Sequence, residues 1–493
     1  MNTSLPSTSA PDHPAGDHAL VIGGSMAGLL AARVLSDRFA RVTVVDWDHF
    51  PREADHRRRV PQSRHAHGLL ERGQAIIARL FPGIGDELAA DGALVAGGEA
   101  ITIVSPAGRL PSFPPADGSA AKGFFASRVL LEWHVRRRMA ARDGVRLVEG
   151  SRVRGLVAGE DGRGVGGARV ESEGGAEEVV AADLVVDASG RHSKAPDWLE
   201  ELGYERPEEE VIESGIGYAS RFYERPEGWP ADWEGIIMNG RPPHNPRAGL
   251  ILPVENGGWH VTLGGFAGHH PPTDEEGFHA WARALPDPSI AEAIRVARPL
   301  TPIRAFRTPT NRLRRFDRLR RSPERFVAIG DSVCAFNPIY GQGMTVSAMD
   351  AELLEAELAR GRGSADPAFA RRFQRRLAKL VSAPWLVASA EDLRWRVPAS
   401  GARPAWITGA IHRYMDLVLR AARREPHVAG AYMGVVNLNT TPRALFSPRV
   451  IRAVARAALR EGRDPADDPA LSPAAVARLR TMPSRVEEKV LAG

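Results

Sequence analysis

The stretch "HALVIGGSMAG", His18 to Gly28, constrains the fold more than any other part of the chain. His18-Ala-Leu-Val-Ile22 reads as a buried strand, and Leu29 to Phe39 as a helix. A second strand follows at Val42-Thr-Val-Val-Asp46. These apolar runs lack alternation, so they suit a parallel sheet covered on both faces. A strand that turns directly into a helix and is followed by another such strand predicts a βαβ unit.

The turn itself carries a chemical signature. In Gly23-Gly24-Ser25-Met26-Ala27-Gly28 the pattern G-x-G-x-x-G has serine at its second glycine. Gly23 makes the tight turn, and Gly28 lets the helix pack on the strand. Ser25 is small enough for backbone to approach a pyrophosphate at the helix N-terminus. Asp46 ends the second strand and is placed to accept from ribose hydroxyls, as in dinucleotide sites. The competing reading is a tight turn with no ligand. The acidic residue at the right spacing favours a dinucleotide.

A second apolar strand is punctuated in the same way. Phe326-Val-Ala-Ile329 runs into "GDSVCAFNPIYGQGMTV", Gly330 to Val346, and then into a helical pattern from Ser347 to Leu358. Asp331 is placed to hold the ribityl half of FAD, with the ADP half on Gly23–Gly28. The helix after Gly343 points its positive end at the flavin ring, favouring negative charge in reduced flavin. Gly341 and Gly343 let backbone N–H groups approach closely. The alternative is a capped helix with a surface turn.

The remaining chain divides by texture. Residues 1–17 lack a basic and apolar leader pattern and read as a disordered tail. Residues 18–205 form the first part of an FAD-binding domain. An antiparallel β-sheet substrate domain is inserted at 206–324, and the FAD-binding domain resumes at 325–363. Residues 364–493 read as a C-terminal helical region. The predicted class is α/β, with a Rossmann-like FAD-binding domain. The 493 residues leave no doubt that a large core can be buried. Net charge is only +5 and basic residues are scattered, which argues against nucleic-acid binding. Cys334 is the only cysteine, so no intramolecular disulfide forms, which fits a cytoplasmic location. No apolar run is long enough for a transmembrane segment.

Three motifs, "GGSMAG", "RRRVPQSRHAH" and "GDSVCAFNPIYGQGM", resemble the FAD-dependent monooxygenases of the p-hydroxybenzoate hydroxylase fold. Within that fold the chain looks most similar to bacterial epoxidases that oxidise polyene precursors of polyether antibiotics. "ADLVVDASGRHS" and "SRVLLEWHVR" support the likeness, which covers about residues 18–360. It implies that Gly23, Gly24, Ser25, Met26, Ala27, Gly28 and Asp46 hold the ADP half. Arg57 falls where the fold reaches FAD phosphates, Val60-Pro61-Gln62 beside the flavin, and Arg128 on the helix contacting FAD. Asp331 matches the ribityl acceptor, and Pro338, Gly341, Gly343 and Met344 the ring-contacting turn. Departures are Arg59 in place of glycine, Ser189-Gly190 in place of Asp-Gly, and Thr345 in place of asparagine.

The resemblance implies that reduced FAD reacts with O₂ to give a C4a-hydroperoxide, which delivers one oxygen to an electron-rich carbon. Electrons come from NAD(P)H or reduced flavin, with a flavin reductase or a carrier protein as candidate partners. Residues expected beside the ring are Gln62, His65, Phe336, Pro338 and Tyr340. The inserted sheet is expected to supply Phe222, Leu252, Thr262 and Phe266 as pocket wall for a hydrophobic substrate. The expected reaction is epoxidation of an alkene in a polyketide or terpenoid. Aromatic-ring hydroxylation and a non-oxygenating double-bond reductase remain as alternatives. An aromatic hydroxylase needs a buried base or cation for its phenolate, and the inserted strands offer only Arg221 and His260.

His65 and His67 lack further ligands at metal-binding spacing, so no metal is expected. A structural reading of His65 competes with the catalytic one. "NRLRRFDRLRR" reads as a solvated face rather than a phosphate patch. Ile407, Ile411, Met415 and Val418 recur at helical spacing, as core or as a lid over a greasy channel.

Overall fold

The computed structural model describes residues 15–111, 123–242, 244–360, 362–395, 405–459 and 472–482. Residues 1–14 of the expected tail, and 483–493, lie outside them. The first described strand is Gly16–Ile22, so it begins inside the segment expected as tail.

A five-stranded parallel sheet forms the base, in the order Phe326–Ala328, Leu184–Asp187, Gly16–Ile22, Phe39–Val45, Val145–Val148. Leu184–Asp187 and Phe326–Ala328 are buried throughout and Gly16–Ile22 along its C-terminal half, where helices cover them, whereas the edge strand Val145–Val148 is only half-buried. Met26–Leu35 and Gly343–Leu358 pack on one another and on this sheet, and Arg128–Ala140 and Phe369–Asp392 complete the same core. Just before Leu94 the chain forms two helices, Glu71–Leu80 and Ile84–Ala90. Phe81-Pro82-Gly83 interrupts them, with Gly83 at φ +82°. A three-stranded antiparallel sheet, Ser151–Ala158, Val165–Ser172 and Glu177–Ala181, flanks the base.

The larger sheet is built on Glu209–Glu224, Arg247–Val254, Gly258–Gly265 and Arg304–Arg314. It extends beyond the 206–324 insertion. Ile101–Ser105 pairs parallel to Gly235–Met238 at one end, and Cys334–Ala335 pairs to Arg304–Arg314 at the other. Three of its strands, these two and Gly108–Arg109 beside Ile101–Ser105, therefore come from segments read as part of the FAD-binding domain.

Register settles which side chains share a face. Phe222 lies opposite His260, which lies opposite Leu252; Ser220 lies opposite Thr262, opposite Leu250. These point toward the base domain. On the other face Tyr223, Trp259, Val261 and Ile251 pack with Trp233, Phe278 and Ile290 under the helices Glu275–Arg283 and Ser289–Val296. The C-terminal helices Ala405–Ala422, Pro426–Val436 and Pro448–Leu459 share a core of their own, including Val418, Val428 and Val450. No described helix is long and apolar enough to cross a membrane.

Candidate functional site

The first turn is shaped by close backbone approach. Gly23 has φ +103°, and a Cβ there would lie 2.5 Å from the Ala188 carbonyl oxygen. A Cβ on Gly28 would lie 1.8 Å from the Gly23 carbonyl oxygen, so only glycine lets this helix sit on its own turn. Ser25 precedes the helix but does not cap it with its side chain. Its hydroxyl instead donates to Glu132 Oε2 at 2.9 Å and accepts from Arg128 Nη2 at 2.8 Å. Met26, Ala27 and Gly28 occupy the first helical turn, where N–H groups have no intrahelical acceptor and the dipole favours an anion.

Asp46 is buried at the end of the second strand. It accepts from the Gly24 N–H at 2.7 Å and the Asp48 N–H at 2.8 Å, and pairs with Arg57 Nη2 at 2.7 Å. Two carboxylate oxygens hold about four acceptor sites, so capacity remains for a ribose hydroxyl. Arg57, which the resemblance places where the fold reaches FAD phosphates, is tied into the turn and keeps a buried Nε without a hydrogen-bond partner. It is 5% exposed, and donates to the Gly24 carbonyl and Glu132 Oε1, both at 3.0 Å, besides its Asp46 pair. It acts as a strut that fixes the turn.

Glu132 joins this group from the helix Arg128–Ala140, two turns of chemistry that local motifs do not reveal. Burial alone would raise its pKa, but the Arg128 and Arg57 guanidinium groups outweigh burial and hold it below the ordinary range. Arg128 keeps a buried Nε without a partner. Its Nη1 meets His67 Nε2 at 3.4 Å, and His67 Nδ1–H donates to the His65 carbonyl at 2.7 Å. Burial, with Arg128 beside it, pushes the His67 pKa down to about 3, so this imidazole is a neutral acceptor for the arginine.

The second turn adjoins the first. Gly330 has φ +58°, and a Cβ there would stand 2.8 Å from the Ala27 Cβ. Its N–H donates to Asp350 Oδ2 at 2.8 Å. The Asp331 carboxyl lies near the start of the helix Gly343–Leu358: Oδ1 is 3.9 Å from where a Gly343 Cβ would be. Burial raises its pKa against the opposing charges of Arg191, Arg128 and Arg314. No protein donor reaches this carboxyl among the described residues. Gly341 takes φ +63°, and Gln342 keeps a buried Oε1 without a partner. Arg128 Nε and Gln342 Oε1 are thus buried polar atoms without partners, and the Asp331 carboxyl is half-buried with no protein donor among the described residues. They suit a ligand with phosphates, hydroxyls and ring N–H groups, as FAD has.

Against this cleft opens a cavity of about 3090 Å³. Arg128, Pro338, Tyr340, Gln342 and Met344 form its floor; Leu252, His260 and Phe266 come from the large sheet; Trp385, Trp395, Met415 and Tyr432 close it from the C-terminal side. Ile411 and Met415 line it, whereas Val418 is core; the Ile407 side chain lies outside the described residues.

Several residues expected beside the ring or in the pocket wall do not line this cavity. Gln62 is off the cavity wall, on the short turn Pro61–Arg64 that follows Val60. His65 is buried, with Nδ1 at 2.7 Å from Ser220 Oγ, and burial pushes its pKa down to about 4. It fastens the loop to the sheet. Thr262 does the same, meeting Ser220 Oγ at 2.7 Å and accepting from the Ala66 N–H at 3.2 Å. Phe336 belongs to the core of the base domain. Phe222 lies behind His260, rings stacked at 3.9 Å. Arg221 points to the opposite face and pairs with Glu275 at 2.7 Å, so it cannot serve a ligand in the cavity. Arg59 stacks on Trp47 at 3.6 Å in an exposed position. Thr345 Oγ1 accepts from the Leu70 N–H at 3.0 Å. Among the described residues no three metal-ligating side chains are grouped to hold a metal ion.

Asp331→Leu tests the second turn. Losing a charge-assisted hydrogen bond to the ribityl chain should weaken FAD by about ten-fold or more, of order 1.5–3 kcal/mol. Fluorescence titration of the apoprotein measures it, and unchanged affinity removes Asp331 from the site.

Comparison with known proteins follows the same line. The family described as "FAD binding domain" matches residues 18–382. Protein Rv3254 of Mycobacterium tuberculosis is 34% identical over 426 residues, covering 84% of this chain and 88% of that protein. The solved structure of the flavin-dependent brominase Bmp2 is similar in fold, with TM-score 0.60 and 16% identity over 91% of this chain and 100% of that one. The p-nitrophenol 4-monooxygenase PnpA from Pseudomonas putida DLL-E4 has TM-score 0.60 and 15% identity, covering 86% of this chain and 98% of that one.

Proposed function

The chain belongs to the FAD binding domain family, its cofactor is FAD, and from this premise we propose that it is a monooxygenase acting on a long hydrophobic alkene. The carrying observation is the cavity of about 3090 Å³ with an apolar wall set against the flavin turn. Ligand pockets usually occupy about 300–1,000 Å³, so a flavin ring and a small phenol would leave most of it empty. The electrostatics agree. Arg221 faces away, and burial lowers the His260 pKa well below its ordinary value, so neither offers a cation to a phenolate.

In this reading the ADP half of FAD lies on Gly23–Gly28 with Asp46, and Asp331, Gly341 and Gly343 hold the ribityl and ring portions. Bound reduced FAD supplies the chemistry that activates O₂ for transfer of one oxygen atom. The chain's own residues hold the cofactor, exclude water and orient the alkene. Arg57 and Glu132 keep the first turn rigid. Leu252, Phe266 and Trp395 give the substrate an apolar surface, with Phe266 and Trp395 stacked at 4.6 Å. NAD(P)H, directly or through a flavin reductase, is the electron source.

Titrating the FAD-loaded protein with ligands of graded length tests the reading. Long polyenes should perturb the flavin absorbance and bind at least about ten-fold more tightly than small phenols, because each buried CH₂ contributes about 0.8 kcal/mol. Preferential binding of small phenols replaces the alkene with an aromatic substrate.

A further inference from the structure

Beneath the cavity floor lies a buried polar cluster that the FAD site does not use. Asp392, at the end of the helix Phe369–Asp392, is fully buried. Its Oδ1 accepts from the Tyr340 hydroxyl at 2.5 Å, and its Oδ2 accepts from Asn337 Nδ2 at 2.8 Å and from Asn311 Nδ2. Asn337 Nδ2 also donates to Ser214 Oγ at 2.7 Å, and its backbone N–H donates to Asn311 Oδ1 at 2.6 Å. Asp392 itself does not line the cavity; Tyr340 does. The carboxyl group therefore reaches the substrate space only through one phenol.

We propose that Tyr340 is a catalytic proton donor at the cavity wall and that Asp392 is the positioning residue that holds and resupplies its proton. The inference rests on the monooxygenase reading, since net oxygenation by NAD(P)H and O₂ consumes one proton per product and releases one water. When Asp392 is ionised, the Tyr340 O–H is committed to it. When Asp392 is protonated, its own proton occupies that contact and the Tyr340 hydrogen is free to turn toward the cavity. Delivery then breaks the Tyr340 O–H bond as an O–H bond forms on the acceptor. The Asp392 proton passes to the Tyr340 oxygen, leaving a carboxylate that both asparagine amides stabilise. No electrons change hands, and solvent reprotonates Asp392.

The surroundings suit a group that holds a proton near neutrality. Burial pushes the Asp392 pKa up to about 7, against the hydrogen bonds of Tyr340, Asn311 and Asn337; the Glu391 charge adds to the rise. Tyr218 from the large sheet also faces this cluster, with Arg191 of the base domain beside Tyr218, while Arg394 and Asp416 face Glu391. Burial and Asp392 also hold the Tyr340 pKa well above its ordinary value, so the phenol stays protonated while it waits. A folded-state pKa above the unfolded one means that Asp392 favours the fold most at acid pH. That contribution is complete below the ordinary aspartate value of 3.8, falls as pH rises above it and is gone once pH passes about 7, where the proton-loaded state is lost.

The experiment uses FAD-loaded wild type, Asp392→Asn and Tyr340→Phe. Asparagine keeps the shape and the oxygen that accepts from both asparagine amides, with its own N–H able to donate to the Tyr340 oxygen, but it cannot ionise; phenylalanine removes only the hydroxyl. The infrared difference between wild type and Asp392→Asn should show a protonated-carboxyl band that disappears as pH rises through about 7, and this band should shift in Tyr340→Phe. Single-turnover oxygenation of a polyene in wild type should slow by about ten-fold from pH ~6 to pH ~8, one decade per pH unit above the pKa. Both variants should be slower by roughly 100-fold or more at the lower pH and flat across the range. A wild-type pH profile retained in Asp392→Asn, or no titrating band, overturns the relay while leaving the oxygenase intact. Lack of oxygenation in all three proteins overturns the monooxygenase reading instead, and the infrared band still decides whether Asp392 carries the proton.

Discussion

Gly28→Val should yield protein without bound flavin, its FAD affinity lower by about 100-fold or more. The Cβ of any larger residue would begin 1.8 Å from the Gly23 carbonyl oxygen, in a contact between two backbone segments that no side-chain rotation relieves. The helix Met26–Leu35 must then tilt or slide away from the turn, taking its N-terminal N–H groups with it. A loss of about 100-fold corresponds to roughly 3 kcal/mol, the scale of a severe core or backbone defect. Equilibrium dialysis measures the affinity, and circular dichroism separates a folded, flavin-free protein from an unfolded one. Gly68→Ala is a suitable control, because nothing lies within 4 Å of a Cβ there. Normal FAD affinity in Gly28→Val would place the ADP half elsewhere.

Glu132→Leu has the second large effect, and it falls mainly on the apoprotein. Glu132 is 4% exposed and meets Arg57, Arg128 and Ser25 together. Removing one partner of a buried ion pair strands the other, at a cost of about 3–5 kcal/mol. Bound FAD should offset part of this loss, because its pyrophosphate supplies negative charge beside Arg128. The expected result is a urea midpoint that drops sharply without FAD and less with it. Glu132→Gln keeps the hydrogen-bond shape and should lie between. Equal losses with and without FAD would show that the arginine cluster does not face the phosphates.

What could be read from the sequence was local. Gly23, Gly28, Gly330 and Gly341 announce positive φ or close approach within a few residues of the turns they serve, and the strands that flank them are continuous apolar runs. The neighbours of those turns were hidden because they arrive from elsewhere. Glu132 lies 107 residues from Ser25, and Asp392 lies 52 residues beyond Tyr340. Arg57 was legible as a basic residue in the right segment, but its role as a strut needed Asp46 and Glu132 in place. Alternation in the large sheet left open which of Phe222, Arg221 and His260 share a face. Which face met the flavin required the register with Thr262 and His260. Even then, Phe222 is covered by the His260 ring. The strand Ile101–Ser105 escaped notice because its partner, Gly235–Met238, is distant in sequence and pairs parallel to it.

The most direct test of the account is a single turnover under ¹⁸O₂ with FAD-loaded, chemically reduced protein and a long polyene, read by mass spectrometry. The account predicts a product heavier by one ¹⁸O atom and carrying an epoxide, with little or no oxygenation of a small phenol under the same conditions. A labelled phenol product with untouched polyene would contradict the alkene assignment. Oxidation of the flavin with no label in either compound would contradict the monooxygenase itself.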